Sequence, residues 1–275
     1  MQQKTLRALA VGSVLVLAGL GCLMRYYQIQ TGFDASDLPI RGDVSIKLLA
    51  AISVLAFLLS VLCCRALPQH SQERGLFRPN VLSLLTGLAA GLVLAIGAVW
   101  SLVEVYNVSG LGIPAWLELL QLLAGMSVFT AAWLRWKRGG SMMGLHAVIC
   151  LWQVLMLLLN FRNWSMDPTI ADYCFRLFAL ICGMCGGYHV GAFCFGGGRR
   201  RISAFWCLAG VFFTLVSAIG ESRSWQMMEF GMCLWLLSNV WQLYGEARSE
   251  NHPEPIPEPE EAEKAEQPEQ PVQSE

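Results

Sequence analysis

Apolar residues run along this chain in long uninterrupted stretches, separated by short polar links. A helix crossing a membrane needs about 20 consecutive, mostly apolar residues. Eight stretches meet that length, near residues 8–24, 46–64, 81–103, 115–134, 142–161, 174–195, 202–220 and 226–244. The pattern predicts an all-α fold: a polytopic transmembrane helical bundle of about eight helices, spanning residues 1–245. No link is long enough to fold as a domain of its own. The first stretch follows Lys4 and Arg7, as a signal peptide would, but no small-x-small cleavage site precedes Arg25. A retained first helix is expected.

Charge orients the bundle. Lys4, Arg7, Arg65, Arg74, Arg78, Arg135, Lys137, Arg138, Arg199, Arg200, Arg201 and Arg248 fall on one alternating set of links, twelve in all. The other set holds five: Arg25, Arg41, Lys47, Arg162 and Arg223. Basic loops stay on the cytoplasmic side, so both termini are expected there. Aromatic residues mark the same boundaries. Tyr26, Tyr27, Trp100, Tyr106, Trp116, Trp164, Tyr173 and Trp225 fall at one interface, and Trp133, Trp136, Trp206, Trp241 and Tyr244 at the other. Such rings favour the headgroup level.

Composition adds a second region. Of the twenty acidic residues in the chain, ten lie beyond Gly245. The run from Pro253 to Glu261 alternates proline and acid, which suits neither helix nor core. Residues 246–275 are expected to be a disordered, Pro/Glu-rich cytoplasmic tail. With 14% charged residues overall, the remainder is poorer in charge than a soluble domain, about 25%. Nucleic acid is not an expected partner, because the bases sit between apolar runs.

The link after the first stretch reads Arg25-Tyr26-Tyr27-Gln28-Ile29-Gln30-Thr31-Gly32-Phe33-Asp34, then Asp37-Leu38-Pro39-Ile40. This resembles a loop of uncharacterised bacterial multi-pass integral membrane proteins, in which Gly commonly stands where Asp37 does. The resemblance implies a bacterial cell (cytoplasmic) membrane. It implies no activity and carries over no functional residue.

Small residues recur every fourth position on two stretches. Ala179, Gly183, Gly187 and Gly191 form one row, and Ser83, Gly87, Gly91 and Ala95 another. Such rows let helix backbones approach closely in lipid, so these two helices are expected to be tightly packed. Gly210, Thr214 and Ala218 form a shorter row.

Three groups could carry chemistry. His146, Gln153 and Asn160 lie seven residues apart on one face of the fifth helix. They read either as interhelical hydrogen-bonding groups or as the wall of a polar path. Glu118, Gln121, Arg176 and Glu229 all sit near helix starts at the end away from the basic loops. Ionisable groups there pair with one another or face water. Cys182, Cys185 and His189 share one face of the sixth helix, and a thiol pair at that spacing could exchange disulfides or hold a soft metal. All ten cysteines lie in or beside apolar runs, where thiols usually act as small hydrophobes.

The chain has no Walker loop, G-x-S-x-G or H-E-x-x-H motif, and no enzymatic activity or cofactor is expected. Its five prolines before the tail lie outside the apolar interiors, whereas transporter sites often have broken helices. The leading expectation is a non-enzymatic bundle that binds, scaffolds or regulates a membrane partner, either another membrane protein or a second copy. A transporter or channel for a small solute or ion is the alternative, and an intramembrane enzyme the third reading.

Overall fold

A computed structural model describes residues 3–33, 40, 43–69, 76–107, 115–139, 143–164 and 170–245. Every regular element among them is helical: α1 (Gln3–Thr31), α2 (Val44–Arg65), α3 (Val81–Asn107), α4 (Ala115–Arg138), α5 (Met143–Trp164), α6 (Ile170–Gly191), α7 (Arg200–Ser217) and α8 (Arg223–Leu243). A short 3-10 turn, Ala192–Phe195, ends α6 at Gly196, whose φ of 70° suits glycine. The proposed tail, 246–275, lies outside the described residues, as do Asp34, Asp37, Arg41 and Arg74.

The eight helices answer the eight apolar stretches, with different ends. The first helix runs through Thr31 rather than stopping at residue 24. Seven helices, α1 to α7, are long and apolar enough to cross a membrane. The eighth falls short because Gln226, Glu229, Ser238, Asn239 and Gln242 interrupt its apolar sequence. It is nonetheless enclosed: Glu229, Ser238, Asn239 and Gln242 are all buried.

Consecutive helices from α3 to α8 pack side by side, and α8 returns against α3, closing a ring of six. Helices α1 and α2 pack on each other and on α7. The position of α7 between these groups makes it the most enclosed of the seven. In its most apolar stretch 72% of residues are buried, against 22% in both α1 and α2. The sequence rows pointed instead to α3 and α6. Regular small residues report how closely a helix meets one neighbour, whereas burial depends on how many neighbours surround it.

The small-residue row of α3 faces α4 and α8. A Cβ on Gly91 would stand 2.6 Å from the Phe129 nitrogen and 2.7 Å from the Gly125 carbonyl oxygen. The two backbones therefore touch with no side chain between them. One turn earlier, a Cβ on Gly87 would meet that of Ala132 at 2.7 Å. Ser83, at the end of the row, exchanges hydrogen bonds with α8: its hydroxyl lies 3.0 Å from that of Ser238, which also donates to the Ser83 carbonyl at 2.9 Å. Both serines are buried. A double-mutant cycle through Ser83→Ala and Ser238→Ala should give a coupling of about 0.6 kcal/mol, the average for interhelical pairs in lipid. Reversible unfolding in mixed micelles measures it, and additivity of the two substitutions would show that the hydroxyls do not cooperate.

Arginines close the ends of two helices beside the basic links. Arg200 is fully buried and donates to the carbonyls of Leu243 and Gly245, each at 2.5 Å, at the C-terminus of α8. Arg201 donates to the Leu67 carbonyl just beyond α2. A helix C-terminus leaves carbonyls unpaired and carries partial negative charge, and cations satisfy both. At the other end of α2, Asp43 caps the helix, accepting from the Ser45 amide at 2.6 Å and from the Ser45 hydroxyl. These bonds, the Ser45 hydroxyl foremost, hold the Asp43 carboxyl below its ordinary value. A depressed value means that the cap stabilises α2 at neutral pH and is lost on acidification through that lowered value. Intrinsic-rate-corrected amide exchange at Ser45 and Ile46 should therefore rise at acidic pH in the native chain and be already high in Asp43→Ala.

Candidate functional site

The interior holds polar groups at three depths, with one residue of the α5 stripe at each. Next to the basic links, Arg135 of α4 is buried, with its guanidinium 2.9 Å from His146 Nε2 and 3.2 Å from Asn239 Oδ1 of α8. It also lies 5.1 Å from the Phe77 ring centre. An arginine can only donate. His146 Nε2 must accept, so the imidazole is neutral with its proton on Nδ1. The same imidazole stacks at 5.8 Å on Trp235. One buried cation thus ties α4, α5 and α8 together.

At mid-depth, Gln153 is fully buried and its amide nitrogen lies 2.9 Å from the Met232 sulfur on α8. Glycine in α6 makes room for this contact. A Cβ on Gly183 would fall 2.4 Å from the Met232 methyl and 2.6 Å from Gln153 Nε2. Gly187, one turn on, leaves space for Cys150 and Trp235. Ala179 and Gly191 complete the row and are buried. The α6 row thus lets α5 and α8 meet through long side chains. Asn160, near the far end of α5, donates to the Met156 carbonyl of its own helix at 2.8 Å. The stripe is therefore three separate interactions, one of them inside a single helix.

The four residues grouped at the opposite end divide into two sites. Glu118 and Gln121 of α4 line a cavity of about 10 Å³ with Ser101 of α3, Met156 of α5, and Ser224, Trp225 and Met228 of α8. Glu118 is 1% exposed, and its Oε2 has no hydrogen-bond partner among the described residues. Gln121 donates to the Leu94 carbonyl at 3.3 Å. Arg176 instead forms an ion pair with Glu221, and its guanidinium sits 4.2 Å over the Trp225 ring. Glu229 is buried near Arg176 and Ser217. Trp225 stands between the two sites, lining the cavity while carrying Arg176.

Beside the cavity lies a groove on the outer face of α3. It encloses about 630 Å³ and is lined by Leu92, Ala95, Ile96, Val99, Trp100, Val103, Glu104 and Leu122. Glu104 links groove and cavity: one carboxylate oxygen accepts from Trp100 of the groove at 2.7 Å, the other from Ser224 of the cavity at 3.0 Å.

Cys182, Cys185 and His189 do not assemble a metal centre. Among the described residues, no three His, Cys, Asp or Glu side chains come together to hold an ion. The α6 helix turns them to different neighbours. Cys182 is buried against Gly210 of α7, Cys185 is half-buried, and His189 packs edge-on to Tyr188. All ten cysteines are free thiols.

Sequence reading passed over several residues that matter here. By sequence, Arg135 falls among the link charges, and Asn239, Ser224, Glu104 and Glu221 are given no role. One signal was present: Ser238, Asn239 and Gln242 lie close together in a stretch otherwise apolar, and polar groups at that depth need partners.

Fold and interior together define the class, an all-helical, membrane-embedded bundle. No protein-family model matches the chain, and neither the curated proteins nor the solved structures gave a match.

Proposed function

We propose that this chain is a non-enzymatic, eight-helix protein of a bacterial cytoplasmic membrane, with both termini inside, that binds, scaffolds or regulates a membrane-protein partner. The observation that carries this reading is the closure of the bundle at mid-depth. Gln153 is fully buried, with its amide nitrogen on Met232 and its side chain packed under Gly183, and this speaks against an open path along the α5 stripe. A partner surface is available on α3. From residue 92 to residue 103 the groove runs about 17 Å at 1.5 Å per residue, one leaflet of a hydrocarbon core of about 30 Å. The Glu104 carboxylate at its mouth favours a partner that brings a cation to the headgroup level. The surrounding lipid bilayer is the default occupant against which such a partner competes.

A photo-crosslinking residue at position 96 tests this in native membranes, with position 55 on the lipid-facing side of α2 as control. The expected result is a protein adduct at 96 alone, lost when Val99→Trp fills the groove. An adduct at twice the chain mass would identify the partner as a second copy. Lipid adducts alone, equal at 96 and 55, would overturn the proposal.

A transporter is the second reading. Its support is the polar cavity around Glu118, which lies at one end of the bundle rather than at the midplane.

A further inference from the structure

The Glu118 cavity has the chemistry of an ion site. Its polar lining is a carboxylate, a carboxamide and two hydroxyls, from Glu118, Gln121, Ser101 and Ser224. The Gln121 amide nitrogen is turned to the Leu94 carbonyl, which leaves its oxygen as the group free to accept. Ser224 gives its proton to Glu104 and so accepts from the Ser222 hydroxyl, which leaves one lone pair for a ligand. The Ser101 hydroxyl bonds Glu118, so its proton is engaged as well, and oxygen atoms left as acceptors select a cation rather than an anion. Glu118 Oε2, 1% exposed and without a partner among the described residues, is the second and independent sign. A buried acceptor without a partner costs about 1–3 kcal/mol, more when charged. Something that donates or carries positive charge removes that cost.

Size and charge narrow the ligand. A cavity of about 10 Å³ admits one water-sized body, since a water needs roughly 10–15 Å³ on the same measure. Calcium takes 6–8 oxygens, commonly with several carboxylates, and magnesium keeps several waters. Neither fits one carboxylate and a single-body cavity. We propose that Glu118, Gln121, Ser101 and Ser224 bind one desolvated monovalent cation of sodium size, closing α3, α4 and α8 around it.

The site is separate from the partner groove but wired to it. Ser224 in the cavity and Trp100 in the groove hold the two oxygens of Glu104. Drawing the Ser224 oxygen onto a cation fixes that carboxylate, so ion occupancy orders the mouth of the groove.

The test uses the full chain purified in detergent. Binding of radioactive sodium is measured by scintillation proximity, with competition by unlabelled sodium, potassium and choline at constant ionic strength. Saturable binding displaced by sodium and not by choline is expected, with a parallel rise of several degrees in the unfolding midpoint. Glu118→Gln should abolish both, and Ser101→Ala, which removes one neutral oxygen ligand, should weaken binding about tenfold. Absence of saturable sodium binding to the native chain would overturn the proposal, whether or not any variant folds. So would full binding to Glu118→Gln, or displacement by potassium better than by sodium. Failure here leaves the groove adduct at position 96 untouched, so the two proposals fail separately.

Discussion

Gly91→Leu should destabilise the bundle by about 3 kcal/mol or more, at the upper end of the cost of overpacking. At Gly91 the atoms in the way are the Phe129 nitrogen and the Gly125 carbonyl oxygen, 2.6 and 2.7 Å from a Cβ. A crowded side chain can change rotamer. A helix backbone can only move as a unit, and α4 is held on its other side by α5. Propensity predicts the opposite sign, since leucine is a better helix former than glycine by up to 1 kcal/mol. Gly19→Leu in α1, where nothing lies within 4 Å of a Cβ, is the control. Unfolding midpoints in mixed micelles should fall sharply for position 91 and hold or rise for position 19. Equal responses would mean that helix propensity, not close approach, governs these glycines.

His146→Phe should cost about 2–3 kcal/mol, the worth of a hydrogen bond to a charged group. Phenylalanine matches the ring and can keep the contact with Trp235 while removing the Nε2 acceptor, together with the Nδ1–H donor. Arg135 stays buried, with Asn239 remaining and the guanidinium group facing His146 deprived of its acceptor. His146→Gln restores an acceptor and should recover most of the loss. Arg135→Met is the informative companion. It removes the buried charge along with its bonds, so its cost should be smaller than that of His146→Phe, because replacing a buried ionic group with a well-packed apolar one is often close to neutral. The same unfolding assay reads all three. A His146→Phe variant as stable as the native chain would show that Arg135 draws nothing from the imidazole.

Much of the fold was legible because membrane helices announce themselves by length and apolarity. The eight apolar stretches are eight helices, and the α3 row of small residues marks where backbones meet at Gly91 and Gly125. Helix ends were less legible. The polar run from Arg25 to Thr31 continues α1, since Arg25 is buried beside Phe175 and bonds Gln28 one turn on. A polar sequence read as a loop is a helix that buries Arg25 and Gln28 against each other and exposes Tyr26 and Tyr27.

The interior was less legible still, for a geometric reason. Spacing of seven places His146, Gln153 and Asn160 on one face, but it says nothing about the helices opposite. Those helices supply Arg135 to His146 and Met232 to Gln153, while Asn160 turns back to the Met156 carbonyl of α5 itself. At the other end the sequence grouped Glu118 with Arg176 by depth alone. The bundle inserts Trp225 between their sites, and Glu221, just before α8, takes the arginine. Depth is readable from one helix at a time, whereas neighbours are a property of the assembled ring.

Water access at residue 153 tests the closed interior most directly. Gln153→Cys would be made in a background lacking Cys22, Cys150, Cys174, Cys185 and Cys194, the cysteines that are not fully buried. Single cysteines at Arg138 and Arg162, at exposed helix ends, serve as references for the two sides. A membrane-impermeant thiol reagent applied from each side should label the two end positions and leave position 153 unmodified. Labelling at 153 from either side would show that water reaches mid-membrane along α5, and the bundle would then be read as a transporter.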